Sequence, residues 1–187
     1  MQQIASLNFE SSSVDVARAL IGTVLLVDGV GGRIVETEAY DAAEPASHSY
    51  GGRSMRNATL FGAPGHAYVY RSYGIHWCLN FVCREAGHGA GVLIRALEPS
   101  DGIDVMRARR GLVDERLLCS GPGRLEQALG ITRICDGLPL DRAPFELRPS
   151  PMSPQVVVGV RIGISKAMDM PWRFGLQGSR FVSRRFT

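Results

Sequence analysis

Residues 23–40 read TVLLVDGVGGRIVETEAY. Two runs rich in Val, Leu and Ile flank a cluster of glycines, the pattern of two antiparallel strands joined at a glycine turn. The glycines form a loose GxGG, and turn chemistry accounts for them without a nucleotide-binding loop. Through GRIVETEAY a period of two places Val35, Thr37 and Ala39 on one face and Ile34, Glu36, Glu38 and Tyr40 on the other. Two carboxylates thus share a face with a tyrosine. Such a pair can simply meet solvent; what points to function is that the strand runs straight into a long polar loop carrying His48.

A second hairpin is written in GHAYVYRSYGIHWCLNFV, residues 65–82. Alternation puts Tyr68 and Tyr70 on one face of its first strand and His76, Cys78 and Asn80 on one face of its second. The two tyrosines fit a core as well as a stacking platform. Tyr73 is different, because with Gly74 it occupies the turn, where its own chain cannot cover the ring. An exposed aromatic wedge suits insertion between bases.

Residues 41–66, rich in Ala, Ser, Gly, Pro, Asn and Arg, show no periodicity and read as a long excursion, of a length that in compact domains is more often functional than the average loop. His48 there is either an ordinary loop histidine or a reader of a base edge; His66, His76 and His88 carry no comparable context. Asn57 begins an NAT glycosylation spacing without meaning in a protein that is not exported. GAGVLIRALEP, residues 89–99, reads as a buried strand ended by Pro99, followed by a helix capped at Ser100 and closed at Gly111. Asn80 and Arg95 are polar groups inside apolar strands and need partners. Glu38 is the natural partner of Arg95, either as a structural ion pair or as a pair that holds a water.

SSSVDVARALIG, residues 11–22, has serines to cap a short helix, Asp15 in its first turn and Gly22 to end it. CSGPGRLEQALGI, residues 119–131, places Gly-Pro-Gly before an amphipathic helix, leaving backbone N–H groups free to meet an anion or simply starting the helix. The tail has a strand-like stretch at 155–164 and a last strand with exposed arginines.

The 187 residues, 45% hydrophobic and 21% charged, suit one domain spanning 1–187 with a substantial core. The apolar stretches are too short and too broken to cross a bilayer, and no secretory signal is recognisable, which places the protein in the cytoplasm without membrane contact. Cys78, Cys83, Cys119 and Cys135 form no CxxC pair; a strand over 76–83 would send Cys78 and Cys83 to opposite faces, against a zinc site with His76 and His88. No metal is expected. The formal net charge is +3 and does not announce a nucleic-acid binder. Lys166 is the one lysine among 21 basic residues, so the positive groups are guanidiniums able to grip phosphate bidentately, although codon bias explains that equally well.

Taken in order, GRIVETEAY (32–40), ASHSYGGRSMRN (46–57), GHAYVYRSYGIHWCLN (65–80), GVLIRALEP (91–99) and LCSGPGRLEQALGI (118–131) resemble the alkyladenine (3-methyladenine) DNA glycosylase family, the methylpurine glycosylases of animals and many bacteria. The resemblance implies an α+β fold: one domain with a curved, mostly antiparallel sheet, surrounding helices and a protruding hairpin. It implies a monofunctional enzyme of base excision repair that flips alkylated, and in some members deaminated, purines out of double-stranded DNA and hydrolyses the N-glycosidic bond. Glu38 matches the base that activates water and Arg95 an arginine that helps position it. Tyr40, His48 and Tyr70 match the walls and base-edge contact of the pocket, Asn80 a gatekeeping amide, and Tyr73 the residue that enters the duplex. No cofactor is expected, and the working unit is expected to be a monomer. Tyr50, Met55 and the short segment between Tyr40 and His48 depart from the family pattern, which bears on the breadth of lesion recognition. Two other readings compete: a non-catalytic nucleic-acid-binding module in which Glu38 and Arg95 are structural, and a nucleoside hydrolase, which would not need the wedge.

Overall fold

The computed structural model describes residues 7–150 and 152–186. Strands β1 (Val24–Val27) and β2 (Val30–Tyr40) form the first hairpin. Its turn is Asp28-Gly29, both with positive φ (49° and 76°), the two-residue geometry whose twist matches the flanking strands. Gly31 and Gly32 lie inside β2 instead of in the turn. A Cβ there would stand 1.9 Å from Leu25 O and 2.0 Å from Glu98 O, so close strand approach, not turning, requires these glycines.

β2 is the centre of an eight-stranded sheet. Along one edge it pairs with β1 over residues 30–33 and then with β8 (Arg173–Leu176) over 36–38. Along the other it pairs with β5 (Ala90–Asp101), beyond which come β4 (His76–Cys83) and β3 (Ala67–Ser72). β6 (Phe145–Arg148) extends β1, and β7 (Val156–Gly159) pairs with β8. Each of these pairings is antiparallel. The β3–β4 hairpin sits at the edge of the sheet and projects its turn into solvent, as expected of an α+β domain of this kind.

The β2–β5 register decides where the polar groups point. It steps from Ile34↔Leu97 to Glu36↔Ala96 and then to Thr37↔Ile94, so Val35 on β2 and Arg95 on β5 have no partner opposite them. Each is a bulged residue, and a bulge re-aims the side chains around it. Strict alternation therefore fails at one point: Ile34 joins the main core with Ala39, while Val35 packs with Ala96 and Phe181 on the opposite face, beside Glu36. Glu36, Glu38 and Tyr40 keep their common face.

One face of the sheet is covered by helices. α1 (Ser13–Leu20) is capped by Ser12, whose Oγ accepts from Asp15 N–H at 3.1 Å, and it buries Val16, Ala17 and Leu20. α2 (Ile103–Arg110), α3 (Glu115–Leu118) and α4 (Pro122–Leu129) add Met106, Leu118 and Leu125 to the same core, where each such side chain contributes about 1.5–3 kcal/mol. β5 does not stop at Pro99 but pairs it with Gly32 and continues to Asp101; Gly102, at φ 65°, starts α2 in place of Ser100, whose hydroxyl turns to Asp101. Gly111 closes α2 as expected. The opposite face of the sheet is left for the 41–66 excursion, whose regular structure is one 3-10 turn at Ala58–Phe61, and for the chain's end.

Candidate active site

Glu38 and Arg95 meet on the helix-free face. Arg95 Nη1 donates to Glu38 Oε2 and Arg95 Nε to Glu36 Oε1, each at 3.2 Å. Glu38 Oε2 also accepts from the Tyr40 hydroxyl at 2.8 Å, and its Oε1 accepts from Ile162 N–H at 2.7 Å. Glu36 is the anchor of Arg173, whose Nε donates at 2.7 Å. Both carboxylates are fully buried. Burying ions is costly unless each meets an opposite charge and further hydrogen bonds, and here two carboxylates face two guanidiniums. Burial pulls the Arg95 guanidinium down, but the Glu38 and Glu36 charges outweigh it and hold its pKa above the ordinary value.

Above this floor opens a cavity of about 890 Å³, of the size that holds a small organic group. Tyr40, Arg95 and Ile162 line it, with Glu38 covered by the three of them. The walls are rings. His48 and Tyr70 meet edge to face with centroids 4.4 Å apart, Tyr68 stacks on Tyr70 at 5.4 Å, and His48 Nδ1 lies 3.4 Å from the Tyr68 hydroxyl. Asn80, on β4 opposite Leu93, completes the wall and donates through Nδ2 to Tyr68 O at 3.2 Å. Burial raises the Tyr40 and Tyr70 phenols, and for Tyr40 the Glu38 charge adds to it. Tyr68 is pushed up to about 12 by burial and by Asp136. Burial, with Arg56 second, lowers His48, so its imidazole is neutral at neutral pH. The walls are thus uncharged and the charge is concentrated in the floor.

The rim carries Tyr73, 89% exposed at the tip of the β3–β4 hairpin. Tyr73 and Gly74 both have positive φ (50° and 68°), and Ile75 N–H closes the turn on Ser72 O at 2.9 Å. Arg56, His76 and the single lysine, Lys166, stand on the same rim, so that lysine and His76 are nearer the cavity than their sequence contexts suggest. Cys78 lines the cavity while Cys83 is in the core, as alternation dictates. Among the described residues no group of three or more His, Cys, Asp or Glu is placed to hold a metal, and no helix is long and apolar enough to cross a membrane.

Every candidate residue therefore falls on one cavity, its floor or its rim. Sequence reasoning missed the residues that hold them. Arg161, in a stretch read as strand, is buried and paired with Glu44 (Nη1–Oε1 2.7 Å, Nη2–Oε2 3.0 Å), and Nη1 also donates to Ala39 O. Arg173 is buried and not exposed. Asn57 is a buried staple of the His48 loop, donating to His48 O and Gly52 O and accepting from Ser54 N–H. The carboxylates Glu44 and Glu36 each lie within a few residues of a candidate site residue, but nothing in the sequence names their distant arginine partners.

The site is thus a ring-walled cavity over a buried carboxylate–guanidinium floor, with an exposed aromatic at its mouth. The chain belongs to the methylpurine-DNA glycosylase (MPG) family, whose model matches residues 7–180. It is accordingly a DNA-repair glycosylase, a hydrolase acting on DNA. Similar proteins include the "Putative 3-methyladenine DNA glycosylase" of Nitrosospira multiformis, 69% identical over 182 residues (97% of this chain, 94% of the relative). Proteins of the same name from Rhodopseudomonas palustris strain BisB18 (61% identical; 95% of this chain, 89% of the relative) and Rhizobium meliloti (59%; 95% and 95%) are also similar.

Proposed function

We propose that the protein excises alkylated purines, 3-methyladenine among them, from duplex DNA by extruding the damaged nucleotide into the ring-walled cavity. The carrying observation is that Arg95 and the rings of Tyr40, His48 and Tyr70 line one cavity, with Glu38 bonded to Arg95 and Tyr40 beneath its floor and Tyr73 at its mouth. The names of the similar proteins agree with this substrate.

Alkylation makes the purine cationic and a good leaving group, so the glycosidic bond breaks through an oxocarbenium-like state that a carboxylate stabilises. Glu38 takes a proton from the attacking water, and Arg95 and Tyr40 hold its carboxylate in place. Glu38 Oε1 carries one hydrogen bond, from Ile162 N–H, and keeps a lone pair for that water. Because the carboxylate is fully covered, this reading requires the 162–166 segment, itself part of the cavity lining, to yield when the nucleotide enters. Asn80 limits which purines fit, and Tyr73 fills the space the base leaves.

Base removal proceeds without strand cleavage. Lys166 stands on the rim, where an amine could form a Schiff base, so the point is open to a direct test: a borohydride-trapped adduct with damaged duplex would contradict it. The main experiment measures free base released from duplexes carrying one alkylated purine. Wild type releases it and Glu38→Gln, assayed below its own melting temperature, does not; release by that variant would remove Glu38 from the mechanism.

A further inference from the structure

Glu36 links the cavity floor to the end of the chain. Besides Arg95 and Arg173 it accepts from Ser183 N–H at 2.5 Å and from Ser183 Oγ at 2.9 Å. The same Oγ accepts from Arg95 Nη2 at 3.4 Å, so one hydroxyl bridges the arginine and the carboxylate that orients it. The segment is pinned on both sides of Ser183. Phe181 is buried with Val35 and Ala96. Phe186 places its ring 3.8 Å from the Arg173 guanidinium carbon and fills the space that a Cβ on Gly175 would need, 2.3 Å from the ring. Arg173 Nη2 also donates to Arg184 O. The segment itself, residues 181–186, lies beyond residue 180, where the family match ends.

We propose that residues 181–186 form a positioning strap, in which Ser183 fixes the orientation of the Arg95 guanidinium and, through it, of the Glu38 carboxylate. Arg95 sits on a bulge without a ladder partner: the bulge aims its side chain, and the side-chain contacts hold the guanidinium in one orientation. Its Nη1 and Nε hold the two carboxylates; Ser183 is the contact on Nη2. Without that third contact the planar guanidinium pivots, and small displacements at a reacting centre are expensive in rate. The inference rests on the roles proposed above for Glu38 and Arg95.

The test compares Ser183→Ala, Ser183→Thr, Phe186→Ala and Arg95→Ala in the full chain. Single-turnover excision from an alkylated duplex reads chemistry, Kd for an abasic-site duplex reads binding, and a thermal melt reads folding. Ser183→Ala is expected to lower the excision rate about tenfold or more, the lower end of what a hydrogen bond to a charged group contributes, with Kd for abasic DNA unchanged. Ser183→Thr keeps the hydroxyl and restores the rate. Phe186→Ala, which touches none of the residues assigned to chemistry, lowers the same rate and serves even if Ser183→Ala does not fold. Wild-type rates in Ser183→Ala and Phe186→Ala, with excision lost in Arg95→Ala, overturn the strap and leave the proposed function standing. Retained excision in Arg95→Ala overturns both. A rate loss matched by weaker abasic-DNA binding, or not restored by threonine, also overturns the strap.

Discussion

The Tyr40 hydroxyl donates to Glu38 Oε2 at 2.8 Å from two residues further along the same strand, so one ring is both a wall of the cavity and a support of its buried carboxylate. The Arg161 guanidinium lies 4.7 Å from the centre of that ring and keeps it in place. Replacing Tyr40 with Phe retains the wall and deletes the donor. A hydrogen bond to a charged group contributes about 1.5–3 kcal/mol, so Tyr40→Phe should excise roughly 10- to 150-fold more slowly. Binding of abasic-site DNA should be unaltered. Single-turnover excision measured beside a binding isotherm checks this, and a Phe variant at the wild-type rate would show that the phenol serves only as a surface.

Tyr73 has almost no contact with its own chain, which separates binding from folding. Tyr73→Ala should leave the melting temperature unchanged. It should weaken binding to an abasic-site duplex by about 1–3 kcal/mol, the worth of one stacked ring, or roughly 5- to 150-fold. Fluorescence anisotropy with labelled duplex measures the loss. Unchanged affinity would leave the exposed ring without an explanation.

Local pattern made the strand content, the antiparallel order and the facing of Tyr68, Tyr70, Cys78 and Asn80 legible, because alternation is a property of neighbouring residues. It failed at Ile34 and Val35, where the β2–β5 register slips, and at Pro99, which the strand runs through. It also misjudged Arg161 and Arg173. An arginine in sequence reads as a surface residue, and only the folding of the tail against β2 brings Glu44 and Glu36 to them. The wedge comes from a single hairpin and the Glu38–Arg95 pair from polar groups conspicuous in apolar strands; the contacts that complete the floor, Ile162 N–H on Glu38 and Arg173 on Glu36, come from segments more than a hundred residues away, and no local rule reports them.

The pair Arg161–Glu44 ties the 161–166 segment, which covers Glu38, to the loop that carries His48. Both side chains are almost wholly buried, and removing one partner leaves an uncompensated charge. Glu44→Gln should therefore cost about 3–5 kcal/mol in unfolding free energy. Urea denaturation measures it. A loss below about 1 kcal/mol, the range of exposed pairs, would mean that the pair is solvated in solution.

Glu126 supplies a pH dependence that has no part in the chemistry. It lies on α4 against β4, with its carboxylate near the Trp77 backbone N–H, and its Oε2 is buried without a hydrogen-bond partner among the described residues. Burial pushes the carboxyl up to about 7, while the Trp77 N–H and Arg71 pull it only partly back. The folded state thus holds this proton more tightly than the unfolded chain does. Its favourable contribution is complete below the ordinary carboxylate range and disappears as pH rises towards 7. Glutamine keeps the acceptor for Trp77 and cannot ionise. Glu126→Gln should therefore melt on the order of 2–4 °C higher than wild type at pH 8, the shift that roughly 1 kcal/mol gives in a chain of this size. At pH 5 the two should melt nearly together. Thermal melts across that range decide it: equal differences at both pH values would mean that Glu126 is already ionised and hydrated throughout.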